Sequence, residues 1–251
     1  PNIVRVFDFE RAYGTRFTVM ERLEGEQLEQ LIYRSPRLGW DRIRRILYEV
    51  GSALHYAHRK GLIHRDVKPS NIFLTTQGPT KLLDFGIAID SESSSAENKA
   101  RLGSPCYMPP EQILGKELDG RADLYALGMT AYEMIVGEVP FNEHDIRVLL
   151  RRQLYEQTPD VRQSVHDAPD DLVRFIRGCT AKEPEGRFRD LIEAISVLQR
   201  NQPSSPLIQA ERVKLVIHHG LESTEKVDEA LDRLFNTLRD CPDVIVQVKR
   251  S

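Results

Sequence analysis

The sequence predicts an α+β chain: a short β-hairpin, a mostly helical body, and a small βαβ-like unit at the end. Three observations predict it. Residues 3–20 hold two β-branched, partly alternating runs around a turn. From Trp40 onward, apolar residues recur at helical spacing in several long segments. The last forty or so residues read strand, helix, strand. The boundaries expected are 1–24 for the hairpin and the stretch leaving it, 25–201 for the helical body, 202–209 for a linker, and 210–251 for the extension or the start of a further domain.

Ile3–Phe9 and Arg16–Met20 are the hairpin strands, with the turn at 12–15. Glu21–Gly25 follows; by itself it reads as an ordinary strand-to-helix turn. A short helix puts Leu28, Leu31 and Ile32 on one face, and Ser35-Pro36 ends it. Trp40 to about Lys60 is helical, with Ile43, Ile46, Leu47, Val50, Leu54 and Ala57 as its apolar stripe and Gly61 as its stop. His55 and His58 on it read as packed, hydrogen-bonded residues rather than ligands. Residues 121–136 are apolar nearly all round, the mark of a helix buried on every side. Asp123 near its start is either a charge favoured by the helix dipole or a buried anchor. Three helices complete the body: about 144–157, lined by Leu149, Leu150 and Leu154; 169–182, lined by Leu172, Phe175, Ile176 and Cys179; and 189–200, lined by Leu191, Ile195 and Leu198. After the Gln-Pro-Ser-Ser-Pro linker come a strand at 213–217, a helix at 224–239 and a strand at 244–248. That unit buries little by itself. His218-His219 reads as a surface pair, since adjacent side chains there point apart.

With 251 residues, 40% hydrophobic and 29% charged, the chain can build one good core and a small second unit. A net charge of −3, acids and bases interspersed, leaves no basic face for nucleic acid. Cys106, Cys179 and Cys241 lack paired spacing and suit a reducing, cytoplasmic setting. No apolar run approaches the roughly 18 residues that span a bilayer, and no signal peptide is visible. The chain opens Pro1-Asn2-Ile3 rather than with methionine and reads as a fragment truncated at its N-terminus.

The chemistry concentrates in residues 64–71, His-Arg-Asp-Val-Lys-Pro-Ser-Asn. A carboxylate (Asp66), an ammonium (Lys68) and an amide (Asn71) share one short loop, and the apolar strand Ile72-Phe73-Leu74 leaves it. A second loop, Asp84-Phe85-Gly86, follows Leu82-Leu83. Two such segments side by side aim Asp66, Asn71 and Asp84 into one pocket. Phosphoryl transfer needs this set: one carboxylate takes the hydroxyl proton, an amide and a second carboxylate hold magnesium, and a lysine steadies the phosphate charge. Asp-x-Lys or Asp-x-Gly alone is a common surface turn, but the ordered pair His-Arg-Asp-x-x-x-x-Asn and Asp-Phe-Gly is the protein-kinase pair.

From about Ile3 to about Arg200 the chain resembles the catalytic domain of the eukaryotic-type (Hanks-type) serine/threonine protein kinases, of the sort also found in bacteria. The resemblance implies a protein-kinase-like fold: a remnant N-lobe hairpin and hinge, then a C-lobe. It makes Asp66 the base and Lys68 the contact to the transferred phosphate. Asn71 and Asp84 become the metal ligands. Met20, Glu21, Leu23 and Leu74 join Lys68, Asn71 and Asp84 around ATP, with Mg2+ (or Mn2+) as cofactor. Lysine two places after Asp66, followed by Pro69, is the serine/threonine form of the loop. His64 supports the loop beneath Phe85, and Gly86 completes that turn. Ser104 bonds Asp66 and Lys68, Glu111 pairs with Arg187, and Asp123 anchors the main chain of the catalytic loop. Arg65 meets an anion of the activation segment, 84–111: a phosphate on Ser91, Ser93, Ser94 or Ser95, or else Asp90, Glu92 or Glu97 already in place. Pro109 stands where the family has alanine. Cys106 reads as an unreactive thiol.

The family also uses a glycine-rich loop, a strand lysine in a Val-Ala-Ile-Lys-like context and a helix glutamate. None is in the chain, and all belong before Ile3. The chain by itself is therefore expected to be inactive, with an exposed apolar patch at its top. Protein substrates, ATP, and a kinase dimer or regulatory domain are the partners implied. The competing expectation is a kinase-like scaffold or pseudokinase acting by protein binding, although drifted pseudokinases commonly lose the base or metal ligands kept here. A nucleotide-binding module of unrelated fold would need a phosphate loop of its own, and none is visible.

Overall fold

The computed structural model describes residues 1–12, 15–35, 37–76, 78–84 and 104–198, and the strand backbones 213–215 and 244–246; for 9–18 only backbone is described. The chain divides into two compact units, residues 1–201 and 202–251.

In the first unit, β1 (Val6–Ala12) and β2 (Thr15–Met20) pair antiparallel, from Val6 opposite Met20 to Ala12 opposite Thr15. The strands run closer to the turn than the sequence suggests, and residues 13 and 14 of the expected turn lie outside the described residues. A strand the sequence reading missed follows: β3 (Gly25–Gln27) lies antiparallel on β4 (Ile72–Thr75), which pairs with β5 (Thr80–Leu82). Gly25 is required there, because it holds φ 149° and a Cβ would stand 2.0 Å from the Leu74 carbonyl oxygen. Residues 2–4 extend this sheet: Leu82 N–H donates to Asn2 O, Val4 N–H to Leu82 O, and the Asn2 side chain to Thr80 O.

The helices fall where the apolar periodicity puts them, with ends drawn in by about two residues. They are α1 (Leu28–Arg34), α2 (Trp40–His58), α3 (Pro110–Ile113), α4 (Arg121–Val136), α5 (Ile146–Tyr155), α6 (Asp170–Cys179) and α7 (Leu191–Leu198). The four-residue α3 was not expected. Helix α4 is buried on nearly every side, as its composition predicts, and packs on α2 and α6; α2 and α6 both pack on α7. Gly137 ends α4 in the left-handed conformation, φ 90°. A second apolar cluster, Tyr125, Met129, Phe141 and Leu149, lies beneath residues 106–107. One lining expectation needs correction. On α5, Leu149 is buried but Leu150 and Leu154 are only half-buried, while Gln153 is fully buried. Gln153 sits four residues after Leu149 on the same face and has hydrogen-bond partners there, so a polar side chain takes the place expected for Leu154.

In the second unit, β6 (Val213–Leu215) and β7 (Val244–Val246) pair in parallel, Val213 opposite Val244. Parallel neighbours require a crossover connection; the helix expected at 224–239, the linker and His218-His219 lie outside the described residues.

Candidate active site

A buried carboxylate organises the loop at 64–71. Asp123, in the first turn of α4, is fully buried. Its Oδ2 accepts the His64 N–H at 2.9 Å and lies 2.6 Å from His58 Nε2; its Oδ1 accepts the Arg65 N–H at 2.9 Å. Of the two readings of Asp123, the geometry is that of an anchor, and His58 is part of it. Arg65 takes φ 67°, a region costly for any residue but glycine. Its backbone is held by Asp123 on one side and by Gln112, which donates to its carbonyl, on the other. The Arg65 guanidinium has no hydrogen bond or ion pair with any described residue.

His64 joins the two chemistry-bearing loops. It is fully buried. Its Nδ1 accepts the Asp66 N–H at 3.2 Å, so the ring proton sits on Nε2, which donates to the Leu83 carbonyl at 2.8 Å. Leu83 N–H in turn donates to Asn71 O at 2.8 Å. Asp84, the next residue, is exposed and holds φ 44°. It thus leaves from a residue bonded to both His64 and Asn71. Phe85 and Gly86 lie outside the described residues, as do Ser91, Ser93, Ser94, Ser95, Asp90, Glu92 and Glu97.

Around Asp66 the donors converge. Its Oδ2 receives Asn71 Nδ2 at 3.0 Å and Lys68 Nζ at 2.8 Å, and its Oδ1 receives the Ser104 N–H at 3.0 Å. Asn71 Nδ2 also donates to Asp66 O at 2.8 Å. Lys68 Nζ reaches Ser104 Oγ at 2.8 Å. Ser104 therefore touches both expected partners, but it is the main-chain N–H, not the hydroxyl, that meets Asp66. With Asn71 Nδ2 committed twice, the amide atom left for a cation is Oδ1. Asn71 Oδ1 and the Asp84 carboxylate are hard oxygen donors of the kind magnesium takes, with waters and substrate phosphates completing its octahedron. Among the described residues no group of three or more His, Cys, Asp or Glu could hold a metal alone.

The stretch expected to meet adenine is anchored by Glu21. Its carboxylate takes Lys81 Nζ at 2.6 Å and the Arg5 N–H at 2.8 Å. Burial opposes its ionisation, but Lys81 and the Arg5 N–H outweigh that and hold it below the usual range. On either side of it, Leu23 is half-buried and Met20 is 37% exposed, while Leu74 is buried in β4 opposite Glu26. Next to Gln112, Glu111 forms a buried bidentate pair with Arg187 at 2.6 and 2.8 Å. Cys106 is half-buried; burial and the Glu133 charge push its thiol up, away from the reactive thiolate. A groove of about 820 Å³ between Pro159, Val161, Val173 and Phe188 shares no residue with this set; the donors, not the size of a cavity, mark the site.

The sequence gives no role to Gln153, Tyr125 or Glu133, and places Lys182 only as the first residue of the turn 182–188 that, by the kinase resemblance, supplies Arg187. Gln153 could have been found from its register with Leu149; Lys182, in the turn after α6, carries no periodic signal.

A protein-kinase-like fold, mostly helical with a small β-hairpin, is the class these elements define. The sequence profile of the family described as protein kinase domain matches residues 1–199, and the chain belongs to that family. A probable serine/threonine-protein kinase of Clostridium perfringens is 36% identical over 201 residues, covering 80% of this chain and 29% of that protein. The serine/threonine-protein kinase PknB of Mycobacterium tuberculosis is 33% identical over 230 residues, 86% of this chain and 37% of that one. Among solved structures, the Mycobacterium tuberculosis PknI kinase domain superposes with a TM-score of 0.63 at 30% identity, covering 79% of this chain and 71% of that one. The chain spans about a third of the length of the curated relatives it matches.

Proposed function

We propose that the protein transfers the γ-phosphoryl group of ATP to serine or threonine hydroxyls of protein substrates. The observation that carries this is the Asp66 carboxylate, held by Lys68, Asn71 and the Ser104 N–H at one place. Asp66 accepts the proton of the attacking hydroxyl, most simply at Oδ1, which spends only one lone pair on Ser104. Lys68 sits close enough to move with the charge on the transferred group. Bound nucleotide with Mg2+ (or Mn2+) supplies the phosphoryl group and neutralises its oxygens. Asn71 Oδ1 and Asp84 hold the cation; Met20, Glu21, Leu23 and Leu74 bound the adenine. Arg65, whose guanidinium no described residue engages, takes an anion of the activation segment, a phosphoserine among 91–95 or one of Asp90, Glu92 and Glu97. The 251-residue chain by itself turns over negligibly, since it contains no glycine-rich loop or partner lysine; one lost preorganised contact costs about 3–4 kcal/mol of barrier.

The test uses the longest natural form of the protein with ATP and a generic Ser/Thr substrate. Phosphate transfer should be robust, and Asp66→Asn should lower kcat by about 10²–10⁴ with little change in ATP affinity. Nucleotide binding without transfer in the unaltered protein would favour a scaffold instead.

A further inference from the structure

Lys182 is a buried ammonium with no carboxylate among the described residues bonded to it. Only 9% of the residue is exposed. Its Nζ donates to Tyr125 OH at 2.9 Å and to Gln153 O at 2.8 Å. It also lies over the rings of Tyr125 and Phe141, 5.3 and 4.9 Å from their centroids. Its cationic neighbours are matched: Arg187 by Glu111, and Arg152 by Glu143 and Glu156. Burial and then the Arg187 charge lower Lys182 to about 8, and Glu156 only partly opposes them. An unpaired buried charge needs a reason other than stability.

The hydrogen bonds give one. Tyr125 OH, receiving from Lys182, must pass its own proton onward, and does so to Gln153 Oε1 at 2.5 Å. That fixes the Gln153 amide with Nε2 toward the main chain of residues 105–106. Nε2 donates to Cys106 O at 2.5 Å and Pro105 O at 3.3 Å. A one-way line of donors thus runs from Lys182 to the segment whose start, Ser104, contacts Asp66 and Lys68. Tyr107 completes the fixing by donating to Glu133 at 2.5 Å.

We propose that Lys182, acting through Tyr125 and Gln153, is a positioning residue that fixes segment 104–107, part of the stretch 103–111 that by the kinase resemblance positions a protein substrate, beside Asp66. The substrate half of this rests on the phosphoryl-transfer reading; the positioning half does not.

Two measurements separate them. In the 251-residue chain, hydrogen exchange is followed at Tyr107 and Met108, whose N–H groups bond to Ser104 O and Pro105 O. Lys182→Met should speed exchange there about tenfold, the loss of one hydrogen bond, with protection in α2 and α4 unchanged. Tyr125→Phe removes only the relaying hydroxyl and should do the same if Lys182→Met folds poorly; the double variant should be no worse than either single one. In the longest natural form, both variants should raise KM for a peptide about tenfold and leave KM for ATP unmoved. Unchanged exchange at 107–108, or peptide and ATP constants moving together, overturns the proposal. If the unaltered protein transfers no phosphate, the function reading fails by itself, and exchange still decides the relay.

Discussion

An ammonium held at about 8 inside the fold returns to an ordinary lysine, near 10.5, when the chain unfolds. Below both values each state carries the proton, and the cost of burying it is fully present. Between them the unfolded chain binds a proton that the folded one has released, so the Lys182 contribution to stability rises with pH across that window. Burial pushes the Tyr125 hydroxyl and the Cys179 thiol the opposite way, so the effect is read as a difference. Urea unfolding of wild type and Lys182→Met from about pH 7 to about pH 10 should show wild type gaining on the variant. A difference that stays flat would mean that Lys182 titrates as an exposed lysine does. The contrast with Arg187 is chemical: a guanidinium keeps its charge and takes a bidentate carboxylate, Glu111, where Lys182 takes hydroxyl and carbonyl oxygens.

Among elements, β3 has the largest consequence for its length. Three residues join the stretch after β2 to the strand that leaves the 64–71 loop. Gly25→Ala forces a side chain into φ 149° and onto the Leu74 carbonyl. The expected outcome is a loss of at least about 2 kcal/mol in urea unfolding and weaker nucleotide binding, read by calorimetry. A substitution that leaves both unchanged would show that β3 does not hold the 21–25 stretch in place. The same strand shows why some of the fold was legible and some not. Helices α2 and α4 write themselves in period and composition, because burial of a stripe or of a whole cylinder must appear in the residues. Gly-Glu-Gln has no strand character; only pairing with Ile72–Thr75 makes it one. The site divides similarly. Asp66, Lys68, Asn71 and Asp84 stand close in sequence and could be read as a set, whereas Gln153 and Lys182 meet Tyr125 across 28 and 57 residues. Nothing local announces such a meeting.

For the whole molecule, the distribution of apolar surface matters. Val6, Phe7, Val19 and Met20 are exposed, Phe7 by 60%, on a two-stranded sheet with no third strand among the described residues. The body beneath, α2, α4, α6 and α7, is closed and well packed. The 251-residue chain should therefore bind a hydrophobic dye at the hairpin while its helical core stays native. Phe7→Ser with Val19→Thr should lower dye fluorescence and self-association in light scattering, leaving the unfolding midpoint nearly unchanged. Dye binding that persists would place the exposed surface elsewhere. Arg65 and Asp84, each in a backbone region that glycine occupies freely, have a consequence for breeding this protein toward heat tolerance. Selection for thermal survival alone would reward glycine at both places and discard a cation and a carboxylate. Hardier descendants would then lack both charges on which the proposed phosphoryl transfer relies.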